Sequence, residues 1–90
     1  MRDEDLRLDG NAAGGLLGEI FAWEMTTATS TCAGCGATGA VATLEAYVHA
    51  PGTVLRCPAC GAVLLRAARE NGRVWLDARG ISCLELRAPA

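Results

Sequence analysis

Two short cysteine motifs constrain this chain more than anything else in it. Cys32-Ala33-Gly34-Cys35-Gly36 and Cys57-Pro58-Ala59-Cys60-Gly61 repeat the pattern C-x-x-C-G with 21 residues between them. Two intervening residues let one tight turn aim both sulfurs of a pair at a single point. The glycine that follows takes a positive φ, which lets backbone N–H groups face the sulfurs. Two such turns joined by a β-hairpin set four thiolates at tetrahedral corners, about 2.3 Å from a shared ion. Paired C-x-x-C motifs at a similar separation are a zinc signature. Cys32, Cys35, Cys57 and Cys60 are therefore the expected ligands of one metal ion. A shell of four thiolates has no open position for water, so the metal is expected to be structural and the chain not to be an enzyme.

Ligand type narrows the metal to zinc or a single iron. The two knuckles, with Pro58 in the second, resemble those of rubredoxins, which hold iron and pass one electron. Rubredoxins surround their site with a dense aromatic core, whereas this chain has only Phe21, Trp23, Tyr47 and Trp75, and a shorter gap between its knuckles. Zinc is the favoured ion and iron the alternative. Cys57-Pro58-Ala59-Cys60 also looks like the C-P-x-C of glutaredoxins, where a helix N-terminus lowers a cysteine pKa. That fold needs a later proline facing the thiols, and the only downstream proline is Pro89. It would also leave the first knuckle unexplained.

Size makes a staple necessary. Ninety residues form one domain, and a chain this short buries too little apolar surface to be comfortably stable. The cysteine count of 5 is odd, which argues against a pure disulfide framework. The charged segment 1–9 has no apolar run and cleavage site behind it, so a reducing cytoplasm is the expected location. The longest run without charge, Met25 to Leu44, is full of Thr and Gly and cannot span a membrane.

Asp9 to Met25 reads as the one good helix, capped by Asp9 or Asn11 and striped by Leu16, Leu17, Ile20, Phe21 and Trp23. Gly14, Gly15 and Gly18 weaken it by up to about 1 kcal/mol each and suggest a close approach to another element. Downstream, Val41 to His49 alternates as a half-buried strand, Pro51-Gly52 turns, and Thr53 to Cys57 returns antiparallel. Asn71-Gly72 is the strongest two-residue hairpin signal. It pairs Glu70 with Arg73, Ala68 with Trp75 and Arg66 with Asp77 on one face. Leu65, Ala67, Val74, Leu76 and Ala78 fall on the other, with Arg69 as the polar exception. Gly80 then turns the chain into a last strand, Ile81 to Leu86.

Outside the knuckles no catalytic constellation appears. His49 reads as an exposed strand residue, and Cys83, within Ile81-Ser82-Cys83-Leu84, as core packing. Charge is asymmetric: residues 1–50 hold two arginines against seven acids, and residues 51–90 hold six arginines against three acids. Arg56, Arg66, Arg69, Arg73, Arg79 and Arg87 invite a nucleic-acid reading. A net charge of -2, before a tetrathiolate site adds more, does not favour it. Trp75 beside Arg66 and Arg73 points instead to an unidentified protein partner.

Nearly the whole chain resembles a family of small uncharacterised zinc-ribbon-like proteins from GC-rich bacteria, catalogued as a domain of unknown function. The resemblance rests on Leu8-Asp9-Gly10-Asn11, the stretch from Thr26-Thr27-Ala28 to Cys35-Gly36, Ala50-Pro51-Gly52, Cys57-Pro58-Ala59-Cys60 and Trp75-Leu76-Asp77-Ala78-Arg79-Gly80. It implies a zinc ribbon and brings no activity with it. The expected architecture is α+β: a helix at about 9–25 packed on a small antiparallel zinc-ribbon-like sheet of about five strands at about 27–87. Together they make one domain over residues 1–90. The expected role is that of a structural-zinc protein-interaction module. The alternatives are a zinc ribbon that binds nucleic acid or transcription apparatus, and a rubredoxin-like iron electron carrier.

Overall fold

The computed structural model describes residues 7–21, 25–49 and 52–86. Among the described residues, eight strands form two antiparallel sheets with one short α-helix. The larger sheet contains β1 (Arg7–Asp9), β4 (Glu45–His49), β5 (Gly52–Arg56), β6 (Val63–Glu70) and β7 (Arg73–Asp77), in the order β1-β4-β5-β6-β7. The smaller contains β2 (Thr29–Cys32), β3 (Thr38–Ala40) and β8 (Ile81–Glu85), in the order β3-β2-β8. The single five-stranded sheet expected from sequence is thus corrected to two sheets, of five strands and three.

Local chemistry explains most of the elements. Asn71 (φ 52) and Gly72 (φ 76) both adopt positive φ, as a two-residue type I′ hairpin turn demands. The β6–β7 register is the expected one, with Glu70 opposite Arg73, Ala68 opposite Trp75 and Arg66 opposite Asp77. β4 and β5 pair from Glu45↔Arg56 to His49↔Gly52. Of the expected Pro51-Gly52 turn, Pro51 lies outside the described residues, and Gly52 is the first residue of a strand.

The helix is shorter than expected at both ends. A 3-10 turn over Gly10–Ala13, capped by Asp9 Oδ1 accepting from the Asn11 N–H at 3.0 Å, leads into α1 (Gly14–Phe21). Asp9 itself is drawn into β1 by pairing with Glu45, so the chain enters extended. Met25, expected to close the helix, is buried in a loop, and residues 22–24, including Trp23, lie outside the described set. Gly14 is where the helix comes close to its neighbour: a Cβ there would stand 3.0 Å from Thr26 Cγ2.

The expected strand from Val41 also starts late. Val41–Thr43 is a 3-10 turn, because the amides of Val41 and Ala42 donate to the carbonyls of Ala28 and Thr26 at 2.8 and 2.9 Å. Leu44 and Ala46 point inward as the alternation requires, whereas Val48 is exposed.

The core is small and aliphatic. Leu17, Met25, Ala28, Val41, Leu44, Ala46, Leu55, Leu64, Leu65 and Ala67 surround Cys32 and Cys57, and no aromatic side chain is fully buried among the described residues. Burial at about 25 cal/mol per Å² of apolar surface yields little from alanines, so a crosslink between its elements would weigh heavily in a core of this size. No helix among the described residues is long and apolar enough to cross a membrane.

Candidate metal centre

Each knuckle forms the bend of one hairpin, and the two hairpins belong to different sheets. Cys32 ends β2 and the chain returns as β3; Cys57 follows β5 and the chain returns as β6. The two bends share one backbone pattern. Cys32 N–H donates to Ala37 C=O at 2.9 Å and Gly36 N–H to Cys32 C=O at 2.9 Å. Cys57 N–H donates to Ala62 C=O at 2.9 Å and Gly61 N–H to Cys57 C=O at 2.8 Å. Gly36 and Gly61 both take φ of 78, the left-handed conformation that favours glycine.

A register shift precedes each knuckle. Opposite β5, the step from Leu55↔Leu65 to Arg56↔Val63 passes over Leu64. Opposite β2, the step from Thr31↔Cys83 to Cys32↔Ile81 passes over Ser82. Such bulges bend a strand and re-aim the side chains beyond them. Here the extra residues fall on β6 and β8, and on β6 Leu64 and Leu65 are buried in succession. Cys32 and Cys57 continue the inward alternation of Ser30 and of Thr53 and Leu55, while Cys35 and Cys60 remain exposed.

The four sulfurs converge within 4.8 Å of one another. The inner cysteine of each knuckle faces the outer cysteine of the other: Cys32 Sγ to Cys60 Sγ and Cys35 Sγ to Cys57 Sγ are both 3.7 Å. A disulfide would need about 2.05 Å, and all four are free thiols. A tetrahedron with metal–sulfur bonds of about 2.3 Å has edges of about 3.8 Å. The residues present therefore fit a tetrahedral thiolate ion.

The electrostatics of the cluster are uneven. The backbone N–H of Cys35, and after it that of Gly34, pulls the Cys32 thiol from an ordinary 9.0 down to about 7, against the opposing effect of burial. Cys35 goes the other way. The Ala37 N–H lowers it, but burial and the neighbouring sulfurs of Cys57, Cys60 and Cys32 together raise it to about 12. One thiol is thus prepared to ionise near neutrality, and a second is held protonated by the crowding of its neighbours.

Two supports were not evident from the motifs. Arg56 Nη1 donates to the Gly61 carbonyl at 3.0 Å, and its guanidinium lies 5.7 Å from the Tyr47 ring centroid. That brings a cation to the second knuckle, where thiolates would gather negative charge. The Ala33 N–H donates to the Gly80 carbonyl at 2.9 Å, tying the first knuckle to the loop between β7 and β8. Only the arginine-rich composition hinted at the former, and nothing in the spacing revealed the latter.

The remaining sequence candidates stand apart from the cluster. His49 is exposed at the end of β4. Cys83, expected in the core, is exposed on β8, because Leu84 and Ile81 are the residues of that strand that pack inward. Trp75 is 53% exposed, on the face shared with Arg66 and Arg73. Arg56, Arg66, Arg69, Arg73 and Arg79 are exposed, and Arg87 lies outside the described residues.

No curated protein and no solved structure is significantly similar to the chain. A family pattern does cover it, over residues 2–89, and so includes both knuckles and every strand described above. The chain accordingly belongs to a family of unknown function, DUF6510.

Proposed function

We propose that Cys32, Cys35, Cys57 and Cys60 hold one zinc ion as a structural tetrathiolate, and that the domain it ties together serves as a protein-interaction module. The observation that supports the metal is the pair of 3.7 Å sulfur–sulfur separations bridging the two knuckles. Because the knuckles belong to different sheets, the ion would clamp the five-stranded and three-stranded layers at their junction. Structural zinc contributes on the order of 10 kcal/mol in small domains, which exceeds what an aliphatic core of this size leaves as surplus.

An interaction role is supported by what the larger sheet leaves uncovered. Val74, Trp75 and Leu76 are 48%, 53% and 41% exposed, on consecutive positions of one strand. Ala68 and, one strand further in, Gly52 lie in the cross-strand row of Trp75, so the indole stands beside a shallow apolar groove. Arginines on this face alternate with Glu45, Glu70 and Asp77, which suits a protein surface better than a phosphate backbone.

Elemental analysis of the purified chain tests the metal. One equivalent of zinc in a colourless protein is the expected result. A red protein carrying iron would replace the structural reading with an electron carrier, and a metal-free folded protein would remove the centre altogether.

A further inference from the structure

We infer that β7 is a self-pairing edge: two copies of this chain join antiparallel through Arg73–Asp77, about a two-fold axis at Trp75, to make one continuous sheet. This rests on the interaction reading above and names its occupant. The argument begins with the edges. β1, at the far side of the larger sheet, spans three of the described residues. β7 ends the same sheet with five residues, Arg-Val-Trp-Leu-Asp, and pairs with β6 in unbroken register. It has no proline, lysine or bulge, and the two charges it does carry, Arg73 and Asp77, are opposite in sign and placed so that a second copy pairs them.

Backbone polarity permits the register, and the side chains select it. The two-residue turn closes on Glu70 and Arg73, so Arg73, Trp75 and Asp77 direct their N–H and C=O groups to β6. The same groups of Val74 and Leu76 point away from the sheet. With the axis at Trp75, Val74 of one copy faces Leu76 of the second, and these outward groups satisfy each other.

Side chains agree with that register. Arg73 of one copy meets Asp77 of the second, twice by symmetry. Each of these residues already faces an opposite charge on β6, Glu70 for Arg73 and Arg66 for Asp77. Across four strands the row would read Glu70, Arg73, Asp77, Arg66, alternating in sign throughout. Arg79 bonds Oδ1 of Asp77 at 3.0 Å, and a carboxylate has a second oxygen to offer. On the same face the two Trp75 indoles meet at the axis as a close, non-hydrogen-bonded pair. On the opposite face the exposed Val74 and Leu76 cover one another. Moving the axis to Leu76 would set Arg73 against Arg79, and moving it to Val74 would set Arg73 against Trp75. Only the Trp75 axis pairs opposite charges.

The contact is one strand wide, so a reversible dimer in the micromolar range is expected. Sedimentation equilibrium of the zinc-loaded chain should show a mass rising with concentration toward twice 9.3 kDa. Arg73→Asp gives like acids at both contacts and Asp77→Arg gives like bases, so each variant should self-associate about tenfold or more weakly. An equimolar mixture of the two restores opposite charges at both contacts and should dimerise again. Trp75→Arg, a change at an exposed position, places two cations on the axis and should also yield a monomer. Zinc content and far-UV circular dichroism confirm that each variant folds. A wild-type chain monomeric up to about 1 mM overturns the proposal. So does a dimer unchanged by all three substitutions, or a mixture of the charge variants that stays monomeric. A zinc-loaded monomer would sink self-pairing alone. The broader interaction reading fails separately, if Trp75→Ala leaves every protein retained by the immobilised wild-type chain unchanged.

Discussion

At the scale of single residues, the five cysteines separate into those that converge and one that does not. Cys32 and Cys57 are buried where β2 and β5 end, and Cys35 and Cys60 complete the cluster from outside. Replacing any of the four with Ser removes a thiolate from a closed shell, and a chelator-competition titration should show zinc affinity falling by about 100-fold or more. Cys83→Ser changes an exposed strand residue and should leave zinc stoichiometry intact and stability within about 0.5 kcal/mol. A Cys83 variant that loses zinc would mean the ligand set is wrong. Gly80 offers a second contrast. A Cβ there would overlap the Val63 carbonyl and the Leu64 Cα, both backbone atoms of β6 that cannot swing aside. Gly80→Ala should therefore destabilise the zinc-loaded protein by about 1–3 kcal/mol in urea unfolding. At Gly15, on the helix, a Cβ would meet nothing within 4 Å. Gly15→Ala should stabilise by up to about 1 kcal/mol through helix propensity and the less flexible unfolded chain.

At the scale of elements, legibility followed how local the determining chemistry was. The β6–β7 hairpin could be read to the residue, because Asn71-Gly72 fixes the loop and the loop fixes every pair beyond it. Both knuckles were equally plain, since their spacing and glycines are the geometry. β1 was missed: Arg7–Asp9 is three residues beside a capping signal, and its pairing with β4 depends on a partner far along the chain. β2, β3 and β8 form a separate sheet for a similar reason. Thr29–Cys32 pairs with Ile81–Glu85 across most of the chain's length, a contact no local pattern announces. Burial failed at the edges. Val74 and Leu76 continue the apolar face of Leu65 and Ala67, yet they overhang the core instead of entering it. The hairpin itself is open to test. Gly72 has φ of 76, so Gly72→Val should cost about 1 kcal/mol or more of stability in urea unfolding while leaving zinc stoichiometry at one. A neutral effect would show that the turn is not held in this conformation.

At the scale of the whole molecule, a metal held by the cysteine cluster would make folding, binding and proton release one equilibrium. Two sheets meet at four sulfurs, so an ion bound there stabilises only the arrangement in which both knuckles are formed. Every proton on a ligand must leave before the ion binds. Without metal, Cys35, raised to about 12, holds its proton throughout the physiological range, while Cys32, lowered to about 7, loses its own as pH rises past neutrality. At pH 8, therefore, the proposed zinc would displace a proton from Cys35 but find Cys32 largely ionised. At pH 6 it must displace both. Affinity should fall as pH falls, and the decline should steepen below about 7 as Cys32 begins to compete. Stability of the loaded protein should follow the same sign, present at neutral and alkaline pH and lost toward acid as the thiols reclaim their protons. Asp77 adds a separate, smaller dependence at lower pH. The Arg79 N–H and guanidinium, with Arg66 behind them, hold its carboxyl below the usual range, so its contribution disappears only as pH drops through that lowered value. Stopped addition of zinc to the reduced, metal-free chain in an indicator dye would count the protons released at pH 6 and at pH 8. A larger release at pH 6 is expected, and equal release at both values would show that Cys32 does not carry the low-pKa role that its backbone donors assign to it.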